Sequence, residues 1–298
     1  MNAPHMNSNL FSLEFVHLED LLFHETCDFK RTQKLAEEIK KDGHLKNPVV
    51  VAPVNTEDAE SRENCVQLNH RKGEKLLVLD GVNRASALRL LNIPDVLVQM
   101  VDYEDEKVKL LSWNHLIFNA QKEEIIKKIK DFNLEVSFCP LNWAEEALKH
   151  EKTISYFLFS DLSGFVVNNG NSTAEDKVKN LCLLIATYNG RSEICYLDSN
   201  NLLLSVFEHF KSSSAINLLP SFDKKEILDL AQKGILLPFG VTRFIVPNRV
   251  LGLEVSGSVL SAQTPLSEKN LFLDELLAYR IRSKKAKFYQ ESVTIFNE

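Results

Sequence analysis

The segment Asp80-Gly81-Val82-Asn83-Arg84 sets a carboxylate, a glycine and a guanidinium within about one helical turn of each other. Leu76-Leu77-Val78-Leu79 precedes it and reads as a buried strand, Asp80-Gly81 is a turn signal, and Ala85, Leu88 and Leu91 follow at helical spacing. Strand, tight turn and helix put Gly81, Val82 and Asn83 at a helix N-terminus. Backbone N–H groups there lack partners and the local field is positive, so the turn suits an anion such as a phosphate. Gly81 allows a ligand to approach the backbone closely. The same residues also describe a plain capped helix after a core strand, and local sequence does not separate the two readings.

Little else in the chain advertises chemistry by itself. The five cysteines, Cys27, Cys65, Cys139, Cys182 and Cys195, are odd in number and show no metal-ligand spacing. Reduced thiols in a cytoplasm are the simplest account of them. The histidines form no zinc or haem pattern. Over 298 residues, 44% hydrophobic and 26% charged content are those of an ordinary globular protein, and the net charge of −6 weighs against a chain built mainly to grip nucleic acid. No apolar run is long enough for a membrane span, and Met1 to Ser8 lack the features of a secretory signal. A cytoplasmic location is expected.

The elements that position the turn follow from patterning. Phe11 to Phe23 reads as a strand and turn, with Leu13, Phe15, Leu18, Leu21 and Leu22 inward. Arg31 to Asp42 predicts a helix ended by Gly43, and Val49 to Pro53 a short strand. Residues 56–64 read as an exposed loop, and Cys65-Val66-Gln67-Leu68 as a hairpin partner of Lys75 to Leu79. Val96 to Val101 closes an α/β unit with another strand. From Glu104 onward the spacing of Leu110, Trp113, Leu116, Ile117 and Ala120 predicts helix, as does that of Ile125 and Ile129. Further helices are expected at Trp143–His150, Thr173–Asn189, Leu202–Phe210, Phe222–Lys233 and Glu268 to about Lys287, and a β-rich run at Ile154–Phe159. Arg243 and Arg249 flank a short strand in the segment between Leu236 and Leu253. No flexible linker is evident, so any two domains are expected to pack closely.

Several segments line up with one superfamily. His24-Glu25, Asp28, Arg31, the helix to Gly43, Asn47-Pro48-Val49-Val50-Val51 and Asp80-Gly81-Val82-Asn83-Arg84 occur in an order that resembles the ParB/sulfiredoxin-like nucleotide-binding fold. Within it, Trp113-Asn114-His115, Gly240-Val241-Thr242-Arg243, Pro247-Asn248-Arg249-Val250-Leu251 and the tail Phe288-Tyr289-Gln290-Glu291 to Phe296-Asn297-Glu298 look like the free L-serine kinases. The resemblance covers both ends of the chain, and residues 130–230 add little to it. It implies an α/β (α+β) protein. Residues 1–130 would form the nucleotide-binding domain, and residues 131–298 a mainly helical domain that returns Gly240–Leu251 to the active site.

The resemblance further implies phosphorylation of the hydroxyl of free L-serine by ATP or ADP with Mg²⁺, giving O-phospho-L-serine. Glu25 would stand where those kinases carry the catalytic glutamate. A serine hydroxyl is a poor nucleophile, and a carboxylate against it accepts its proton during attack. Asp80 would bind Mg²⁺ or orient serine. Gly81, Val82, Asn83, Arg84 and Asn47 would hold nucleotide and phosphate. Trp113 and His115 would shape the serine pocket, and Thr242 and Arg243 would close it, with Arg243 meeting either a carboxylate or a phosphate. Two departures matter. Val82 occupies the place of the sulfiredoxin cysteine, which removes that chemistry, and Phe244 stands where a histidine is expected in the serine kinases. The alternative is a ParB-like, nucleotide-dependent DNA-binding regulator, disfavoured by net charge and by the lack of a recognisable basic recognition helix. Oligomeric state, and whether the product feeds cysteine or siderophore-type synthesis, are left open.

Overall fold

Leu13-Glu14-Phe15-Val16-His17 opens the first sheet of the structure, a computed structural model that describes residues 11–54, 70, 73–150, 152–169, 173–190, 192–197, 203–210 and 212–289. The expected loop 56–64, the expected strand Cys65–Leu68 and the tail from residue 290 lie outside the described residues. The first elements are β1 (Leu13–His17), β2 (Leu21–Leu22), α1 (Phe29–Asp42), β3 (His44–Leu45), β4 (Val49–Val54), β5 (Lys75–Asp80), α2 (Val82–Leu90) and β6 (Asp95–Met100). They agree closely with the pattern of the sequence. Asp28 caps α1 by accepting the Arg31 N–H at 3.1 Å, and Gly43 ends that helix in the left-handed region at φ 68°.

The first sheet has the order β1-β6-β4-β5-β2 and mixes parallel and antiparallel pairs. Its central strands are buried on both faces, which is why they read as unbroken apolar runs. Successive residues point to opposite sides. Val49, Val51, Leu76 and Val78 pack with Ala36 of α1 and Ala85 and Leu88 of α2. Val50, Ala52, Leu77 and Leu79 enter a different core, shared with the second half of the molecule.

The chain continues through β7 (Lys109–Ser112), β8 (Asn114–Phe118), α3 (Lys122–Asp131), β9 (Glu135–Phe138), α4 (Ala144–Lys149), β10 (Thr153–Phe159) and β11 (Gly164–Asn168). It then forms α5 (Ala174–Ala186), β12 (Ile194–Leu197), α6 (Leu203–His209), β13 (Ser213–Leu218), α7 (Lys224–Gln232), β14 (Thr242–Ile245), β15 (Val255–Ser256), α8 (Gly257–Ser261) and α9 (Leu266–Arg282). A second sheet, β12-β8-β13-β10-β11-β9, is antiparallel throughout. Helices α3, α5 and α7 cover the face turned toward the first sheet through Ile125, Ile129, Leu181, Leu184, Ile227 and Leu230. The opposite face buries Leu116, Tyr156, Leu158 and Ile216 with Ala144 of α4.

Three expectations are corrected here. The helix read from Leu110 to Ala120 is a pair of strands, β7 and β8, with Trp113 at their junction. Its apolar spacing fits a helix, but cross-strand partners decide: β8 is sandwiched between β12 and β13, and β7 pairs with β14. The second half is organised by a sheet rather than being a mainly helical domain. Strand β13 was illegible because it carries Ser213 and Asn217, polar residues buried on hydrogen bonds that only the fold supplies. The sheets also do not divide at residues 130/131. Strand β8 and helix α3 belong with the second sheet, while Leu253, Val255, Leu260, Leu273 and Leu277 return to the core of the first.

Candidate active site

Glu25 lies on the segment between β2 and α1, held by a short parallel bridge to Leu237. Thr26 N–H donates to the Leu237 carbonyl at 2.8 Å, and Leu237 N–H to the His24 carbonyl at 2.9 Å. The Glu25 carboxyl keeps a partial opening to solvent but is closely surrounded by protein. Its Oε2 stands 3.0 Å from the Thr242 hydroxyl. Burial pushes its pKa up to about 8, and the neighbouring Asp80 charge acts the same way; the Thr242 hydroxyl and the Gly240 and Thr242 backbone pull against it. Beside it His24 is fully buried, donating Nδ1–H to the Val78 carbonyl at 2.7 Å, with Nε2 2.7 Å from Thr242 Oγ1. Burial lowers the His24 pKa to about 4. Phe244, the departure noted in the sequence, packs edge-on against the His24 ring at 5.5 Å between centroids. It shares a face of β14 with Thr242, and both are buried.

The Asp80 turn is built as the sequence suggested. Gly81 sits at the N-terminus of α2 with φ 100°, and a Cβ there would lie 2.8 Å from Arg84 Nη2. Glycine is therefore required both for the backbone and for Arg84 to fold back over the turn. Arg84 Nη2 donates to Asp80 Oδ2 at 2.9 Å, and Arg249 Nη1 donates to the same oxygen at 2.6 Å. Burial works to raise the Asp80 pKa, but the two guanidinium groups outweigh it and hold the carboxyl below its usual range. Arg84 Nε is buried with no hydrogen-bond partner among the described residues. Asn83 Oδ1 accepts the Asp28 N–H at 2.8 Å and the Thr32 hydroxyl at 3.2 Å. This side chain thus ties the N-terminus of α1 to that of α2, so two positive helix ends meet at one place.

The segment 240–252 closes the arrangement. Trp113 N–H donates to the Val241 carbonyl at 2.9 Å, and His115 Nε2–H to the Gly240 carbonyl at 2.7 Å. Gln99, buried in β6, donates to the Asn248 carbonyl at 2.8 Å and accepts the Val250 N–H at 2.9 Å, which fixes Arg249 between them. Asn47 Oδ1 accepts the Gly252 N–H at 2.7 Å. Arg243 lies over the Trp113 ring at 4.5 Å, and Trp113 and His115 both pack against Tyr196 of β12. Tyr196 lies so close to Gly240 that a Cβ there would meet its ring at 2.5 Å. Burial raises its hydroxyl pKa to about 12, followed by the charges of Asp28 and Glu25.

The structure therefore gathers Glu25, Thr242 and the Asp80–Arg84 turn around one place, with Arg243 and Trp113 on the wall formed by the β7–β14 ribbon and β12. Three expected contacts look different in the fold. His115 has both ring nitrogens engaged, Nδ1 accepting the Tyr188 hydroxyl at 2.8 Å, so it positions Gly240. The side-chain oxygens of Asn83 and Asn47 are bonded to backbone or Thr32, which makes them supports of the turn and of the returning segment. His24, Gln99 and Tyr196 were missed. Only His24, adjacent to Glu25, carried any signal; Gln99 and Tyr196 sit in ordinary strand patterns. Arg249 was read as flanking a strand, and its link to Asp80 spans 169 positions.

No cluster of three potential metal-ligating side chains occurs among the described residues. Asp80 offers a single carboxylate already bonded by two arginines, so these residues do not build a magnesium site by themselves. Magnesium commonly binds through one or two carboxylates together with substrate phosphates. No described helix is long and apolar enough to cross a membrane.

Among solved structures, the mixed α/β fold is similar to kinases of free serine. A free serine kinase in complex with AMP superposes with a TM-score of 0.67 at 19% identity, covering 84% of this chain and 93% of that one. The C-terminally truncated SbnI of Staphylococcus aureus gives a TM-score of 0.67 at 18% identity, covering 93% of this chain and all of that one. In sequence, the chain is 20% identical over 283 residues to the full-length protein, "ATP-dependent L-serine kinase SbnI", spanning 92% of this chain and 95% of the relative. It is 24% identical over 233 residues to an "ATP-dependent L-serine kinase" of Staphylothermus marinus, spanning 78% of this chain and 84% of the relative. No protein-family profile matches the chain.

Proposed function

We propose that this protein is a kinase that transfers the terminal phosphoryl group of ATP or ADP to the hydroxyl of free L-serine, giving O-phospho-L-serine, on a ParB/sulfiredoxin-like scaffold. The observation that carries the reading is Glu25. It is a carboxyl of raised pKa set against Thr242, and the charge of the doubly arginine-bonded Asp80 reaches it. The names of the sequence relatives support the substrate, and the AMP- and ADP-bound relatives support a nucleotide.

In this reading Glu25 accepts the serine Oγ proton as the oxygen attacks phosphorus. A base whose pKa lies near the working pH balances availability against strength. The Gly81–Arg84 turn, the joined N-termini of α1 and α2 and the Asp80-organised arginines Arg84 and Arg249 hold the phosphates, and Asp80 aligns the two guanidinium groups. Magnesium carried by the nucleotide supplies further charge neutralisation. Arg243, stacked on Trp113, meets the serine carboxylate. Val82 gives the turn no thiol, so the sulfiredoxin nucleophile is missing from the turn.

The test is purified protein with Mg²⁺, L-serine and either ATP or ADP, read by ³¹P NMR of O-phosphoserine. Formation with one donor, and a fall in kcat of roughly 100-fold or more in Glu25→Gln, is expected. No O-phosphoserine with either donor, or full activity in Glu25→Gln, removes the proposal. The DNA-binding alternative gains no observation from the fold.

A further inference from the structure

The Thr242 hydroxyl sits between two partners but owns one hydrogen. His24 Nε2 lies 2.7 Å away on one side and Glu25 Oε2 3.0 Å on the other. The tautomer of His24 is fixed, because its Nδ1 lies 2.7 Å from the Val78 carbonyl and must carry a hydrogen. With a neutral ring, Nε2 is then a bare acceptor and the Thr242 hydroxyl must point at it, so Glu25 must be a protonated acid donating to Thr242. With an anionic Glu25, the hydroxyl must point at the carboxylate, so Nε2 must carry a hydrogen and His24 is an imidazolium. With no titratable proton on either residue, one of the two contacts sets lone pairs against each other at hydrogen-bond distance. The two arrangements described each hold one titratable proton between the two residues.

We propose that His24, Thr242 and Glu25 form a relay that shares a single proton and frees Glu25 to act as base by moving that proton onto buried His24. The inference rests on Glu25 being the general base. The Glu25 Oε2–H proton passes to Thr242 Oγ1 as the Thr242 proton passes to His24 Nε2. The products are a carboxylate, an intact hydroxyl and an imidazolium, and no charge crosses to solvent. Glu25 then takes the serine proton, gives it to water as product leaves through its partly open side, and recovers its own proton from His24 by the reverse path.

The surroundings hold the proton on Glu25 at rest, while the field of Asp80 stabilises the imidazolium that the exchange forms. Asp80 of β5, with Arg84 and Arg249 attached, faces both residues, and its net field favours a positive His24 and a neutral Glu25. Tyr196 of β12 faces Glu25, and Phe244 of β14 closes the ring of His24 from water. The resting positions, about 8 for Glu25 and about 4 for His24, correspond to the protonated-acid, neutral-ring form. His24 is thus a positioning and proton-holding residue that never touches substrate.

The experiment combines ¹⁵N NMR of histidine-labelled protein with pH profiles of kcat/KM. In the unaltered protein, His24 Nε2 is expected to show an inflection at the same pH as the kinetic limb. Thr242→Ser keeps both. Thr242→Val loses the NMR inflection and lowers kcat by roughly 10- to 100-fold, with the nucleotide KM within about twofold. Glu25→Gln, which donates permanently to Thr242, holds His24 neutral from pH 5 to 9 and serves as the NMR test should Thr242→Val not fold. A His24 signal without inflection in the unaltered protein, or one that persists in Glu25→Gln, overturns the relay. The NMR arm needs no substrate. Serine turnover with no linked titration rejects the relay alone, and linked titration without serine turnover rejects the substrate alone.

Discussion

At Glu25 burial and hydrogen bonding oppose one another, and burial wins: the carboxyl rises from 4.5 to about 8. The folded protein therefore holds a proton that the unfolded chain has already released between those two values. The stability this contributes is complete below pH 4.5 and is lost as pH rises through about 8. His24 runs the other way. Its lowered pKa contributes stability that is present above 6.5 and is lost as pH falls through about 4. Glutamine cannot titrate, so Glu25→Gln is expected to gain stability relative to the unaltered protein as pH rises from about 5, levelling off above about 8.5. Urea midpoints at acidic, neutral and alkaline pH measure this, and a difference independent of pH would contradict the assignment.

Among elements, α9 is fastened to the strand that clamps the returning segment. Its Lys269 is fully buried, donating to Asp95 Oδ2 at 2.6 Å and to the Leu260 carbonyl at 2.9 Å; Asp95 Oδ1 lies 2.8 Å from His17 Nδ1. One lysine thus fastens α9 to β6, α8 and, through Asp95, β1. The same β6 carries Gln99, which clamps Asn248 and Val250 around Arg249. Breaking a buried pair from one side leaves an uncompensated charge and typically costs about 3–5 kcal/mol. Lys269→Met is expected to lose that much in urea unfolding, and adding Asp95→Asn to recover part of it. A single variant as stable as the original would show that the pair contributes nothing.

Across the whole molecule, the two sheets are joined by one core, and a directional chain of buried hydrogen bonds ties the second sheet to the returning segment. Ser155 donates to Asn217 Oδ1, and Asn217 Nδ2 to the Tyr188 hydroxyl at 2.9 Å. Tyr188 donates to His115 Nδ1 at 2.8 Å, and His115 Nε2–H to the Gly240 carbonyl at 2.7 Å. The Gly240 carbonyl can only accept, which fixes the Nε2–H tautomer of His115 and leaves its Nδ1 to accept from Tyr188. The chain ends two residues before Thr242. Tyr188→Phe leaves His115 Nδ1 unsatisfied, and an expected loss of about 1–3 kcal/mol should accompany a lower kcat with O-phosphoserine production as the readout. Unchanged stability and turnover would confine this network to local packing.

What the sequence by itself determined is the local structure: the strand–turn–helix at Asp80–Arg84 and the helix capped by Asp28 and stopped by Gly43. These depend on patterning, capping and turn preferences within a few residues, and the fold retains them. Tertiary structure decided the rest. It turned the helical spacing of Leu110–Ile117 into strands because edge partners β12, β13 and β14 were available. It buried Asn217 and His115 by giving each a donor and an acceptor. It also brought Arg249 to Asp80 and Thr242 between His24 and Glu25, contacts across 169, 218 and 217 positions of chain. Periodicity reports which face of an element is apolar; it carries no information about which distant element will meet that face.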